Sequence, residues 1–343
     1  MDIKAPGVVK LLGEHAVVYG KLSVAVAISL YATASVTDSN SDSIMISLPD
    51  MKEKYAINGQ ELERLRSGYR STDINEFAKA EGKRYGKVLP FAVVAARLYK
   101  EGVAVLGKAV TVTSEIPIGS GLASSAACST AFAVALISSG GRHLQDDAII
   151  DIARDGERVA HRNPGAGAID VSASFYGGVV SFDRLGGARR EQVNALPELV
   201  LIDTGPKLST AVTVGRVSEH YKNERGWTER ILEEINRCST MGLAALKDGR
   251  FKSLGALMYE DHDCLRKLDV SSPALDKAVE IGKSIGAFGV KLSGGGGGGI
   301  AIAIGNNTEE IVDAMKNAGF VPSIASVSEK GAKSYMKNGH TYQ

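Results

Sequence analysis

The sequence predicts an α+β protein of two domains, residues 1–186 and 187–343, and three observations carry that expectation. Strand-like and helix-like stretches are mixed without the regular βαβ alternation that a doubly wound sheet requires. Strand character dominates the first 48 residues, whereas helical character dominates after the apolar stretch LVLIDT at 199–204. A run of six glycines, Gly294 to Gly299, is clamped between GVKLS and IAIAI, two short stretches that read as buried strands. A flexible tether would sit in polar surroundings. Glycines between two strands point instead to a backbone that something approaches closely.

In chain order, VVKLL at 8–12 and LSVAVAISLYATASVT at 22–37 are rich in apolar, small and β-branched residues and read as strands. SIMISL at 43–48 alternates with period 2. Residues 49–86 are polar and charged and read as an irregular surface insertion. FAVVAARLYKEG at 91–102 has helical apolar spacing and a glycine stop, and KAVTVTSEIP at 108–117 is a strand ended by proline. An alanine-rich helix then follows a glycine/serine loop, and DDAIIDIARDGERVAHR at 146–162 is an amphipathic helix. GGVVSFDR at 177–184 closes the first domain; LVLIDT, helices to about residue 285 and the two glycine-flanking strands make the second.

Composition narrows the function classes. The 343 residues carry 40 basic and 39 acidic side chains, a formal net charge of +1, which gives no support for a nucleic-acid partner. Cys128, Cys238 and Cys264 are odd in number, far apart and lack zinc-ligand spacing, so they read as reduced thiols. The N-terminus MDIKAPGVVK has no signal-peptide core, and no apolar run approaches the roughly 20 residues of a spanning helix, so no membrane association is expected. A cytoplasmic enzyme is the resulting expectation.

The strongest local signal is PIGSGLASSAACSTAFAVAL at 117–136. A strand ends at Pro117, Gly119 and Gly121 allow tight turning, and Ser124 and Ser125 stand where a helix begins. Unpaired N–H groups and the dipole at such a junction suit a phosphate, although a serine cap on a buried helix has the same pattern. Familiar nucleotide fingerprints fail here. GVAVLGKA at 102–109 has Ala109 where a P-loop needs Ser or Thr and leads into a strand, and GSGLAS lacks the third glycine of a dinucleotide loop.

Three stretches taken together, KLLGEHAVVYGKLSVAVAI (10–28), PIGSGLASSAA (117–127) and KLSGGGGGG (291–299), resemble the three ordered motifs of the GHMP kinases. GEHAVVYG is similar to the mevalonate kinase branch rather than to galactokinases, which read GEHTDY, or to phosphomevalonate kinases. The resemblance implies a ribosomal-S5-like N-terminal domain, a ferredoxin-like C-terminal domain and an active site in the cleft between them. It implies transfer of phosphate from ATP to the 5-hydroxyl of mevalonate with Mg²⁺, and it leaves open a related acceptor: the mevalonate 3-hydroxyl, phosphomevalonate or a sugar. It also implies that the late glycine loop packs against the phosphate loop. A homodimer is left open.

Roles follow residue by residue from the resemblance. Lys10 would lie near the attacking hydroxyl and the γ-phosphate, and Asp170 would be the base or would orient the hydroxyl. Glu14 and His15 would face the substrate with them. Ser114, Pro117, Gly119, Ser120, Gly121, Leu122, Ala123, Ser124, Ser125, Gly295 and Gly296 would surround ATP. Ser125 and Glu157 would hold Mg²⁺, a hard cation that takes a few protein oxygens and keeps its waters. The chain departs from the family at NPGAGAID (163–170), where N-P-S-G-V/I-D is usual, so Asp170 lies two residues farther from Glu157. Asp155 is the rival base, and His161 and Arg162 read as a charged helix end.

Overall fold

The structure, a computed structural model, describes residues 1–117 and 119–336. The first unit is a seven-stranded sheet built around one long strand. β2 (Ser23–Asp38) carries β1 (Asp2–Leu12) antiparallel along one edge. Its other edge is shared by β5 (Lys108–Ser114) and β6 (Val179–Asp183). β3 (Ser43–Leu48) continues the sheet beyond β5 in parallel, β4 (Glu53–Asn58) beyond β3, and β7 (Gly187–Glu191) beyond β6. The sheet therefore runs five residues past the position expected to end the first domain.

Helices α4 (Ser124–Ser139) and α6 (Ala168–Tyr176) pack on this sheet, and α3 (Leu89–Lys100) and α5 (Asp146–His161) pack on α4. α4 is apolar all round, the pattern of a helix enclosed on every side. It lies against β1, β2, α3, α5 and α6, with Phe132, Val134 and Leu136 fully buried.

Residues 49–86, expected as an irregular insertion, fold as β4 and two helices, α1 (Gly59–Ser71) and α2 (Ile74–Tyr85). Asn58 and Glu61 close a reciprocal capping box on α1, and Asp73 caps α2. Each helix buries only a narrow stripe, Leu62 and Leu65 on one and Ile74, Phe77, Ala78 and Tyr85 on the other. The charged outer faces hide that stripe in the sequence.

The second unit is a four-stranded antiparallel sheet in the order β11 (Val321–Ala325), β8 (Leu199–Asp203), β10 (Ile300–Ile304), β9 (Gly289–Leu292). Helices α7 (Thr210–Asn223), α8 (Arg225–Lys247), α9 (Phe251–Lys267), α10 (Pro273–Ser284) and α11 (Thr308–Asn317) accompany it. The period-2 rule separates its faces. Ile300, Ile302 and Ile304 join the large core of the first unit, whereas Ala301 and Ala303 enter a second core with Val200 and Ile202. Both faces being covered explains why LVLI and IAIAI read as continuous apolar runs. After β11 the chain returns to the first sheet, where Ser326 and Ser328 bond the backbone of Ser29 and Ala27. Among the described residues no helix is long and apolar enough to cross a membrane.

Candidate active site

The site forms where β1, α4, α5, α6 and the glycine loop converge. Lys10 lies near the end of β1, and Asp170 in the first turn of α6, beyond the atypical NPGAGAID loop. The Lys10 ammonium donates to both carboxylate oxygens of Asp170, at 2.8 and 2.9 Å, and both side chains remain about one-fifth exposed. Burial pulls the Lys10 pKa down, but the carboxylates of Asp170, Glu14 and Glu157 outweigh it and hold the lysine above its ordinary value. Lys10 is therefore a fixed cation at neutral pH.

The altered loop still delivers Asp170 because the arginines of α5 grip its backbone. Arg158 Nε donates to the Pro164 carbonyl at 3.1 Å, and the Asn163 side chain accepts from Gly165 N. Gly167 then opens α6 with φ +79, packed so closely on Glu157 that a Cβ would lie 2.7 Å from the Glu157 Cβ. Asp155 takes no part in this pocket. It is buried and accepts from Tyr69 Oη at 2.8 Å and Arg158 Nη1 at 2.7 Å, with Arg97 completing the cluster. It faces α1 and α3.

The phosphate loop follows β5. Ser114 Oγ lies 3.2 Å from Ser124 Oγ and accepts from Ile116 N, while Ser120 Oγ donates to the Pro117 carbonyl. The Leu122 carbonyl accepts from Val8 N, tying the loop to β1 two residues from Lys10. Ala123 is left-handed at φ 57 and offers α4 no side-chain cap, so the first turn of α4 has no capping side chain for its N–H groups.

The glycine run backs onto this loop. A Cβ on Gly299 would lie 3.5 Å from the Ser120 carbonyl oxygen, and one on Gly294 would lie 3.7 Å from that of Gly121. Gly296 serves another contact: its φ is +73 and a Cβ would fall 2.0 Å from the Val270 carbonyl, which accepts from Gly297 N. The backbone approach expected from the sequence is thus present, with Val270 and Pro206 as additional walls.

Ser125 and Glu157 face each other from α4 and α5 with His161 between them. His161 Nε2 lies 3.3 Å from Ser125 Oγ and 3.4 Å from Glu157 Oε2, and its pKa is raised, chiefly by the bond to Glu157. Glu157 is buried, and its Oε1 has no hydrogen-bond partner. An orphaned buried carboxylate oxygen beside a serine hydroxyl is a donor set that fits a hard cation such as Mg²⁺.

Glu14 and His15, expected at the substrate, are both enclosed. Glu14 is 1% exposed and pairs with the buried Lys291 at 2.5 Å, because a lysine enclosed in the interior needs a countercharge. His15 is also buried, with φ 59, and its Nε2 donates to the Gly295 carbonyl at 3.0 Å. That bond leaves Nδ1 as the acceptor. Burial, with help from Lys10 and Lys291, lowers its pKa to about 4, so the ring is neutral at pH 7.

Two residues were not singled out in the sequence. Ser293 Oγ accepts from Lys10 N at 2.9 Å and donates to Lys10 O at 3.0 Å, clasping β1 from the second domain. Lys207, in the β8–α7 connection, reaches to 3.3 Å from where a Cβ on Gly121 would sit. Burial lowers its pKa and the charge of Lys10 lowers it further; among the described residues it makes no ion pair. Ser293 had a detectable signal, its place in KLSGGGGGG; Lys207 lies in a loop with no motif.

An uncapped helix N-terminus, two lysines and a carboxylate are groups suited to phosphoryl transfer. Comparison with known proteins agrees. The GHMP kinases N terminal domain matches residues 90–178, and the GHMP kinases C terminal domain matches residues 243–321. The mevalonate kinase of Methanocaldococcus jannaschii is 30% identical over 318 residues, covering 90% of this chain and 93% of its own. That of Pyrococcus horikoshii is 32% identical over 341 residues, covering 96% of each. The crystal structure of L. major mevalonate kinase in complex with R-mevalonate superposes with a TM-score of 0.73 at 25% identity, covering 96% of this chain and 97% of that one. The chain belongs to the GHMP kinases, and the two relatives compared over nearly their whole length are mevalonate kinases.

Proposed function

We propose that this protein transfers the γ-phosphoryl group of ATP to the 5-hydroxyl of mevalonate. The observation that carries the reading is the bidentate Lys10–Asp170 pair set beside the open N-terminus of α4. The identity of about 30% to mevalonate kinases along nearly the whole chain supports the acceptor.

The chemistry needs little beyond positioning and charge. ATP phosphates rest on the N–H groups of the 119–125 loop, with Ser114 and Ser124 adding hydroxyls. Asp170 accepts the hydrogen of the acceptor alcohol and aims its oxygen in line with the γ-phosphorus. Lys10 faces the negative charge that grows on the transferred group, and Lys207 adds a second cation from the opposite wall. His15, neutral and turned by Gly295, presents Nδ1 as an acceptor for a substrate hydroxyl. Ser125 and Glu157 would hold Mg²⁺, which neutralises phosphate charge when bound.

A coupled ADP-release assay over mevalonate, phosphomevalonate, galactose and homoserine tests the reading. Mevalonate should dominate kcat/KM; preference for any of the other three would replace the acceptor while leaving the phosphoryl-transfer site in place.

A further inference from the structure

Beneath the site lies a buried cluster that the transfer chemistry does not use. Lys291 of β9 is 0% exposed and reaches Glu14 Oε1 at 2.5 Å, Asp261 Oδ2 of α9 at 3.2 Å and the Leu292 carbonyl at 2.7 Å. Glu14 and Asp261 are as enclosed as the lysine, and Glu14 Oε2 and both Asp261 oxygens lack hydrogen-bond partners. Two carboxyl groups thus share one ammonium. The cluster also sits at the junction of the two domains. Glu14 precedes His15, which bonds Gly295, and Lys291 lies two residues before Ser293, which clasps Lys10 on both backbone groups.

We propose that Glu14, Lys291 and Asp261 form a positioning device that holds the Lys10–His15 segment in register with the glycine loop, and that the second carboxyl, Asp261, makes this register depend on protonation. With a proton on Asp261 the cluster is neutral and the seam stays closed. When that proton leaves, an uncompensated buried carboxylate is stabilised by water, which favours parting the seam and loosening the Ser293 and Gly295 contacts. Burial raises the Asp261 pKa to about 7, Lys291 pulling it down and Glu14 pushing it up. Cys238 on α8 and Cys264 on α9 feel the charge of Asp261, and Glu260 on the same helix is paired with Arg237 of α8. His262 is held between Leu292 N and Asp276, with its pKa lowered chiefly by burial.

The inference rests on the phosphoryl-transfer reading, and its test separates the two. The wild-type enzyme and Asp261→Asn are compared from pH 5 to 9, in kcat/KM for mevalonate and in Tm. Wild-type kcat/KM should bend downward near pH 7, falling by up to about tenfold per pH unit above it; Asp261→Asn should lack that bend. Because the folded pKa is raised above the unfolded one, folding takes up a proton between about pH 4 and 7. Wild-type stability contributed by Asp261 therefore falls as pH rises through that window, and the Tm of Asp261→Asn should gain on wild type across it. Contributions from His15 cancel in this difference. Identical pH profiles in the two proteins overturn the proposal. A triple variant, Glu14→Gln with Lys291→Met and Asp261→Asn, removes all three charges; a Tm near wild type with kcat/KM lowered about tenfold or more supports positioning. A folded triple variant with wild-type kinetics overturns it. If neither protein turns over mevalonate, the functional reading fails and the Tm profiles alone decide.

Discussion

Lys10 acts on charge that develops as the phosphoryl group transfers, so its loss should appear in kcat and hardly in the KM for ATP. Lys10→Met should lower kcat by about 10²–10³-fold, and a kcat near wild type would remove it from the mechanism. Asp170 and Asp155 separate cleanly. Asp170→Asn should lower kcat by about 10²–10⁴-fold. Asp155→Asn should leave the chemistry close to wild type but uncover Arg97 and Arg158, costing about 3 kcal/mol of stability by thermal denaturation. A dead Asp155→Asn with an active Asp170→Asn would reverse the assignment. At this scale the sequence named Lys10, Asp170 and Glu157, whose motifs are local. It did not show the pairing of Glu14 with Lys291, 277 positions away, because burial of that pair depends on the meeting of two domains.

The element that most directly reflects backbone chemistry is the glycine loop. Gly296→Val places a branched side chain at φ +73 against the Val270 carbonyl. Strain of about 1–3 kcal/mol at the backbone adds to that clash, and relief requires a shift of the loop, whose Gly294 and Gly299 back onto Gly121 and Ser120. The expected result is a lower Tm together with a raised KM for ATP; unchanged ATP kinetics would return the run to the status of a linker. The loop was legible because two apolar strands flank it. The helices α1 and α2 were not, since each buries only a few apolar residues behind a charged face and their caps, Asn58 and Asp73, lie among many other polar residues. β7 and β11 were also missed: GARRE and VPSIA have no clean alternation and gain their identity by pairing with β6 and β8.

Across the whole molecule, the two sheets are joined by shared burial. Ile300, Ile302 and Ile304 belong to the same core as Leu12 and Leu254, and the returning Ser326–Ser328 segment stitches the second unit to β2. The mixture of strands and helices made the α+β class readable, while this stitching depends on long-range contacts that no local pattern records. The joint matters because Lys10 and Asp170 come from one unit, and Ser293, Gly295 and Lys207 from the other. The most direct measurement is the structure of the product made from ATP and mevalonate, by ³¹P-coupled NMR, with Asp170→Asn run in parallel. A phosphomonoester on C5, formed by the wild type and strongly reduced in Asp170→Asn, is the predicted result. A phosphate on the 3-hydroxyl, or undiminished product from Asp170→Asn, would contradict the account.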